Sequence, residues 1–179
     1  SNDYMRVQDD PSLGGDVTWS EITIEFWIKS MAMHYGAIMM AKKEPQLSVG
    51  SYIIGFEENS ALYSANTLFF GINSTYDNTW NKTSSSSTVL EVGKWYHVVC
   101  VYKSGSGLSI YINGTERVNT PLTGNIAPNP GISVNGAPLF IGYDGGSDYR
   151  DPRRRWLNAY LDEIRIYPRA LSQPQISQR

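Results

Sequence analysis

The chain has 179 residues and a formal net charge of −2 at pH 7, and 41% of its residues are hydrophobic. This near-neutral charge excludes a broad electrostatic attraction to DNA or to an anionic membrane, and no apolar run approaches the roughly 18 residues of a membrane helix. The length fits one domain. Charged residues make up only 18% of the chain, which is typical of a strand-and-turn protein rather than a helix bundle.

The first clear element in the chain is the segment ITIEFWIKS, residues 22–30. Its residues alternate between an apolar phase and a second phase that holds Thr23, Glu25, Trp27 and Lys29. A period of two predicts a half-buried antiparallel strand. The segments YIIGFE (52–57) and LFFGIN (68–73) predict a second pair of strands, and the serine run Ser84–Ser87 is interpreted as a loop top.

The middle of the chain predicts a central strand followed by a hairpin. The segment GKWYHVVCVYK (93–103) is apolar on both phases, as expected for a strand that is covered on both sides. We therefore predict that Trp95, Val99 and Val101, which share one phase, are deeply buried. The lone Cys100 excludes an intrachain disulfide and is interpreted as a small buried hydrophobe. Asn113-Gly114 predicts a type I′ turn, because both central positions need positive φ.

The last part of the chain predicts two closing strands. These are APLFIGY (137–143) and the start of YLDEIRIYPRALSQPQI (160–176), which breaks at Pro168 into one helical turn. About ten short strands with turn signals between them predict an all-β sandwich. An immunoglobulin-type sandwich is the alternative, but it usually has about 100 residues.

Four ordered blocks resemble laminin-G-like, concanavalin-A-like jelly-roll domains. They are SNDYMRVQDDPSLGG with ITIEFWIKS, GKWYHVVCVYKSGSGLSIYING, APLFIGYDGG and YLDEIRIYPRALSQPQI. The resemblance implies an all-β fold of two stacked antiparallel sheets. Because the sequence has no initiator Met, we expect residues 1–179 to form one domain cut from a longer chain. The family includes sugar-binding modules, adhesion domains, pentraxins and some glycan-cleaving enzymes, so the fold alone narrows the function only a little.

The sequence offers no pair of carboxylates suited to glycan cleavage. Glycoside hydrolysis needs two carboxyl groups about 5–9 Å apart, whereas Glu57-Glu58 and Asp162-Glu163 are adjacent residues that point to opposite faces of a strand. His34 and His97 have no nucleophile pattern near them. We interpret His97 as a structural strand residue and His34 as a surface loop residue, and we predict a non-catalytic chain.

A metal site is predicted where the two ends of the chain meet. If Ile164 and Ile166 face the core, Asp162 faces it too, and an inward carboxylate is costly unless it is paired, hydrogen-bonded or bound to a cation. In a jelly roll the first and last strands are neighbours, so Asp3 and Asp162 together predict a Ca²⁺ site at one edge. The family resemblance also implies calcium. The alternative is that Asp162 accepts backbone N–H groups at a strand end.

Two polar loops combine aromatic side chains with amides and carboxylates. Sugars present apolar C–H faces and rings of hydroxyls, which flat aromatic rings and planar polar groups complement. The candidate ligand-binding residues in TYDNTWNKT and GYDGGSDYRD are Tyr76, Asp77, Asn78, Trp80, Tyr143, Asp144, Asp148, Tyr149 and Arg150. The alternative for Trp80 is a lid that folds over the core of the sandwich.

These observations predict a non-catalytic, lectin-like module of an extracellular or surface-exposed protein, with a glycan partner and calcium as a cofactor. The alternative is a structural or adhesion domain that contacts other proteins in a surface or virion assembly. We expect neighbouring domains in the parent chain, and neither nucleic-acid binding nor membrane insertion.

Overall fold

The computed structural model describes residues 4–13, 19–43, 50–58, 62–73, 80–121, 136–143 and 156–179. Within these residues eleven strands form two sheets, in which every paired strand is antiparallel. The first sheet has the spatial order β1 (Met5–Val7), β10 (Leu139–Ile141), β3 (Ile38–Lys43), β4 (Gly50–Phe56), β5 (Thr67–Asn73) and β6 (Trp80–Val89). The second has the order β11 (Ala159–Tyr167), β2 (Glu21–Ser30), β7 (Trp95–Lys103), β8 (Gly107–Ile112) and β9 (Thr115–Thr120). A single 3₁₀ turn, Pro11–Leu13, and one short helix, α1 (Gln173–Ser177), complete the described structure, and the predicted jelly-roll sandwich is confirmed.

The hydrophobic core lies between the two sheets and is built from the predicted alternation. The inward side chains of β2, β7 and β8 in the second sheet are 0–1% exposed: Ile22, Ile24, Phe26, Ile28, Val98, Cys100, Tyr102, Leu108, Ile110 and Ile112. They pack against the inward row of the first sheet, which includes Tyr52, Ile54, Phe56, Leu68, Phe70 and Ile72. Burial raises the pKa of the Cys100 thiol, so this cysteine is the small buried hydrophobe that its strand predicted.

The predicted hairpin turn is confirmed, whereas the interpretation of the serine run as a loop top is wrong. Asn113 and Gly114 both have positive φ, 51° and 73°, as the predicted turn between β8 and β9 requires. The run Ser84–Ser87 is part of β6 and not a loop top. The hydroxyl of Ser85 accepts the backbone N–H of Leu68 at 3.1 Å, so this small polar side chain hydrogen-bonds to the neighbouring strand β5.

The C-terminal strap, residues 168–179, crosses the outer face of the second sheet. Its side chains Leu171 and Ile176 are 4% and 0% exposed and pack with Val99, Val101 and Tyr111. One side-chain hydroxyl of the sheet holds the backbone at the start of the strap, because Thr23 Oγ1 donates to the carbonyl of Arg169 at 2.8 Å and accepts the N–H of Leu171 at 3.0 Å. The strap therefore gives this sheet a second buried face.

The strap also explains why the prediction for the outer phase of β7 is only partly right. Val99 is 0% exposed and Val101 is 7% exposed, as predicted. Trp95 is 44% exposed, so the prediction that it is deeply buried is wrong. The side chains that contact the strap lie farther along β7, and Trp95 at its first position stays open to solvent.

Candidate ligand-binding face

Four ring-bearing side chains stand together on the outer face of the second sheet, beside the strap. The strand register places Tyr160 opposite Lys29 and Lys29 opposite Trp95. One step along the same face, Trp27 lies opposite His97. We call Trp27, Trp95, His97 and Tyr160 the aromatic shelf. Trp27, Trp95 and Tyr160 are 36%, 44% and 59% exposed, respectively.

The rings of the shelf form two close, tilted pairs. The centroids of Trp27 and His97 are 5.2 Å apart, and those of Trp95 and Tyr160 are 6.5 Å apart. Trp95 and Tyr160 are separated by β2, so their backbones are about 9.5 Å apart at ordinary strand spacing. Their rings therefore lean toward each other above the stem of Lys29, which is half-buried.

A depression of about 290 Å³ adjoins the shelf. It is bounded by three of the shelf rings, by the hairpin between β8 and β9 and by the strap. Its lining residues are Trp27, Trp95, His97, Asn113, Gly114, Ile176, Ser177 and Arg179. The carboxamide oxygen of Asn113 accepts the backbone N–H of His97 at 3.0 Å, which fixes the hairpin against β7. Ser177 donates to the carbonyl of Gly114 at 3.3 Å and so joins the strap to the same hairpin.

A buried carboxylate holds the wall of this depression in place. Glu25 is 0% exposed, and its Oε1 accepts from Arg165 at 3.0 Å, from Arg179 at 2.8 Å and from the hydroxyl of Tyr167 at 3.0 Å. Partial burial lowers the pKa of His97; Arg179 and Arg165 act in the same direction and Glu25 opposes them. The lowered pKa favours the neutral imidazole at pH 7, and this ring is tilted by 34° against that of Trp27.

Asp162 does not face the core, and that part of the metal prediction is wrong. The pairing of β11 with β2 shifts between Asp162 and Arg165, where Glu163 adopts φ 53°. This bulge inserts a residue, so the inward row runs through Leu161 and then Ile164. Asp162 is exposed, and its Oδ1 accepts the N–H of Glu163 at 2.8 Å, as the alternative interpretation proposed.

The first and last strands, on which the two acids were expected to meet, are not neighbours in one sheet. β1 pairs with β10 in the first sheet and β11 pairs with β2 in the second, so the first and last strands are not paired to each other. Asp3 lies outside the described residues. Among the residues whose placement is described, no group of three or more His, Cys, Asp or Glu side chains is arranged to hold a metal ion.

Of the nine candidate ligand residues, the structure describes Trp80 and Tyr143 and does not bring them together. Trp80 begins β6, and Tyr143 follows β10, with three strands between these two in the sheet. Trp80 is half-buried and lies over Gly50, where an added Cβ would sit 2.9 Å from its ring. Tyr143 stacks on Trp156 with centroids 4.3 Å apart. The other seven lie outside the described residues: Tyr76, Asp77, Asn78, Asp144, Asp148, Tyr149 and Arg150.

His34 is buried, so its interpretation as a surface residue is wrong. It is 9% exposed and stacks on Phe56 with centroids 5.4 Å apart and an interplanar angle of 5°. Its Nε2 lies 3.1 Å from the carbonyl oxygen of Asn158, and burial lowers the pKa of the ring. His34 therefore has a structural role, because it packs on Phe56 and contacts the backbone of Asn158.

Sequence reasoning missed the aromatic shelf because its tryptophans sit in strands and not in loops. Trp27 occupies the polar phase of an amphipathic strand, and a large apolar residue on that phase is the signal that marks it. Trp95 begins a strand that is apolar on both phases, so its sequence gives no such signal.

Solved structures with the same fold include binding domains of other proteins. The binding domain of Paraclostridial Mosquitocidal Protein 1 is 18% identical, with a TM-score of 0.71 over 99% of this chain and 40% of that one. Domain 4 of AbnA, a GH43 extracellular arabinanase from Geobacillus stearothermophilus in complex with arabinotriose, is 19% identical, with a TM-score of 0.65 over 98% of this chain and 71% of that one. At these identities the likeness shows the fold.

Sequence comparison adds one relative and a family. The human adhesion G-protein coupled receptor D1 is 34% identical over 84 residues, which are 46% of this chain and 9% of the receptor. The chain thus matches less than a tenth of that receptor's length. None of the helices described is long and apolar enough to cross a membrane. The model of the concanavalin A-like lectin/glucanases superfamily matches residues 1–177, and the chain belongs to this superfamily.

Proposed function

We propose that this domain is a non-catalytic carbohydrate-binding module of an extracellular or surface protein, and that it binds its glycan on the aromatic shelf. The observation that carries the proposal is the exposure of Trp27 and Trp95 beside the 290 Å³ depression. Aromatic rings stack on the apolar C–H faces of sugars, and the polar groups around them bind hydroxyls. The complex of AbnA domain 4 with arabinotriose supports the proposal, since that domain shares the fold.

The carboxylates of this face support binding without catalysis. Glu25 is fully buried, and two arginines and a tyrosine bond its Oε1. Glu25 can act neither as the general acid nor as the nucleophile or base of a glycosidase, because both roles require contact with the sugar. Of the described acids beside the shelf rings, Asp162 is exposed and unpaired, whereas Glu163 is exposed but paired with Arg165. The described residues therefore offer one free carboxylate here rather than the required pair.

Trp95→Ala and Trp27→Ala are each expected to weaken glycan binding at least tenfold. Covering an aromatic side chain contributes about 1.5–3 kcal/mol, and each 1.4 kcal/mol is a factor of ten in the dissociation constant. A glycan array that includes arabino-oligosaccharides identifies the ligand, and titration calorimetry measures its affinity.

Two control variants separate this site from others. Leu62→Ala changes a side chain that is 75% exposed outside the shelf, and its affinity should match the wild type. Trp80→Ala tests the loop site that the sequence predicted. A loss that follows Trp80 and spares both shelf tryptophans would move the site to that loop, and the absence of any glycan binding would refute the proposed function.

A protein partner is the second candidate function. The match to an adhesion receptor favours it, as do the exposed side chains of Met31, Met33 and Tyr35 in the loop after β2, which are 42%, 61% and 37% exposed. Exposed apolar clusters mark contact surfaces when they are large enough. A negative glycan array would make this the leading function.

Calcium dependence remains a prediction that chelation tests. An ion shared by Asp3 and Asp162 would stabilise only the folded chain, by about 2.7 kcal/mol at a hundredfold excess over its dissociation constant. EDTA would then lower the melting temperature of the wild type by several degrees, and Asp162→Asn would remove most of that difference. Identical wild-type melting curves with and without EDTA would refute the calcium prediction and leave Asp162 with its backbone hydrogen bond.

A further inference from the structure

Six ionic side chains surround the aromatic shelf, and four of them neutralise one another. Arg165 forms ion pairs with Glu25 and Glu163, and Arg179 forms one with Glu25. Lys29 and Asp162 remain. Neither forms an ion pair with any residue in the described part of the chain.

The strand register brings these two free charges to the same place. Lys29 lies opposite Tyr160, and Asp162, two residues farther along β11, lies opposite Trp27. Lys29 and Asp162 are therefore diagonal neighbours on one face, with their Cβ atoms about 7–8 Å apart. The register places Lys29 between Trp95 and Tyr160, and a half-buried lysine stem carries its ammonium outward to solvent on the face that Asp162 shares.

We infer that Lys29 and Asp162 determine the specificity of the shelf by binding neighbouring hydroxyl groups of an uncharged sugar. This inference rests on the proposed function. An ammonium only donates hydrogen bonds and a carboxylate only accepts them, whereas a hydroxyl does both. Lys29 therefore donates to one hydroxyl oxygen and Asp162 accepts from the next hydroxyl, while the sugar ring covers Trp27 and Trp95.

The charge balance of the face selects against ionised sugars. The six ionic groups sum to zero, with three positive and three negative side chains. The carboxylate of a uronic or sialic acid placed near Lys29 also lies close to Asp162, and an amino sugar near Asp162 lies close to Lys29. Like charges brought together in this way disfavour the complex. Asp162 can still accept hydrogen bonds from a sugar, although its Oδ1 already accepts the N–H of Glu163. A carboxylate has about four acceptor positions.

The test is a glycan array that compares neutral terminal sugars with acidic and amino terminal sugars. Galactose and glucose termini are compared with sialic acid, glucuronic acid and glucosamine termini. The best neutral binder is then titrated against the wild type, Lys29→Met, which keeps the stem, and Asp162→Asn, which keeps the shape. Each substitution is expected to weaken binding about tenfold, because hydrogen bonds to charged groups are the stronger ones. Both positions are on the surface, and unchanged melting curves confirm that the variants fold.

The outcomes separate this inference from the proposed function. Binding that depends on Trp95 and favours neutral termini, with losses in both charge variants, supports the inference. Binding that depends on Trp95 but favours an acidic or amino sugar, or that is unchanged in both charge variants, overturns the inference and leaves the proposed function standing. Binding that is independent of Trp27 and Trp95 overturns both.

Discussion

Val99→Asp is expected to prevent folding. Val99 is 0% exposed in the central strand of the second sheet, under Leu171 and Ile176 of the strap. The new carboxylate would lie directly opposite Glu25, which is itself fully buried. An unpaired charge in such a place costs several kcal/mol, and whole domains are stable by only about 5–15 kcal/mol.

The matched control for this variant is Val92→Asp, because Val92 is 44% exposed in the turn before the same strand. Its stability should stay within about 0.5 kcal/mol of the wild type, as is usual for surface substitutions. Soluble yield and thermal melting by circular dichroism distinguish the two variants. A soluble Val99→Asp chain that melts cooperatively would show that the strap leaves this position open to water.

Ile176→Ala is expected to lower the free energy of unfolding by about 2–5 kcal/mol, the usual cost of truncating a buried isoleucine. Ile176 is 0% exposed and anchors the strap on the second sheet. For a domain of this size the melting temperature should fall by roughly 5–15 °C. Because Ile176 also lines the depression beside the shelf, we expect glycan affinity to fall as well.

Gln178→Ala is the control, since Gln178 is exposed two residues farther along the strap. Its melting temperature should not change. Calorimetry of both variants measures the contribution of the strap directly. If Ile176→Ala melted like the wild type, the strap would rest on the sheet without stabilising it.

The inward row of β2 was predictable because that strand alternates without interruption. Ile22, Ile24, Phe26 and Ile28 are all 0% exposed, as their period of two requires. The same rule failed for Asp162. A bulge changes which phase of a strand is inward, and the residues around Glu163 carry no glycine that would have marked one.

The outer face of the second sheet could not be predicted, because a separate segment covers it. Val99 and Trp95 share one phase of β7, and their sequence context is apolar throughout. Their exposures of 0% and 44% differ because the strap packs on Val99 and not on Trp95. Where a loop or tail packs on a sheet depends on its own length and path, which strand periodicity does not describe.

The bulge in β11 has an evolutionary consequence. With it, Tyr160 and Asp162 on one side and Arg165 and Tyr167 on the other all reach the outer face. The strand carries one residue more than strict alternation allows between these two pairs, and the bulge accommodates it. Without the bulge, the same sequence would turn one pair toward the core, and the domain would lose either the polar and aromatic groups of the shelf or the clamp on Glu25. Deleting the single codon of Glu163 would restore strict alternation with both pairs still outside, so we expect related domains to differ by one residue at this point and to keep this face.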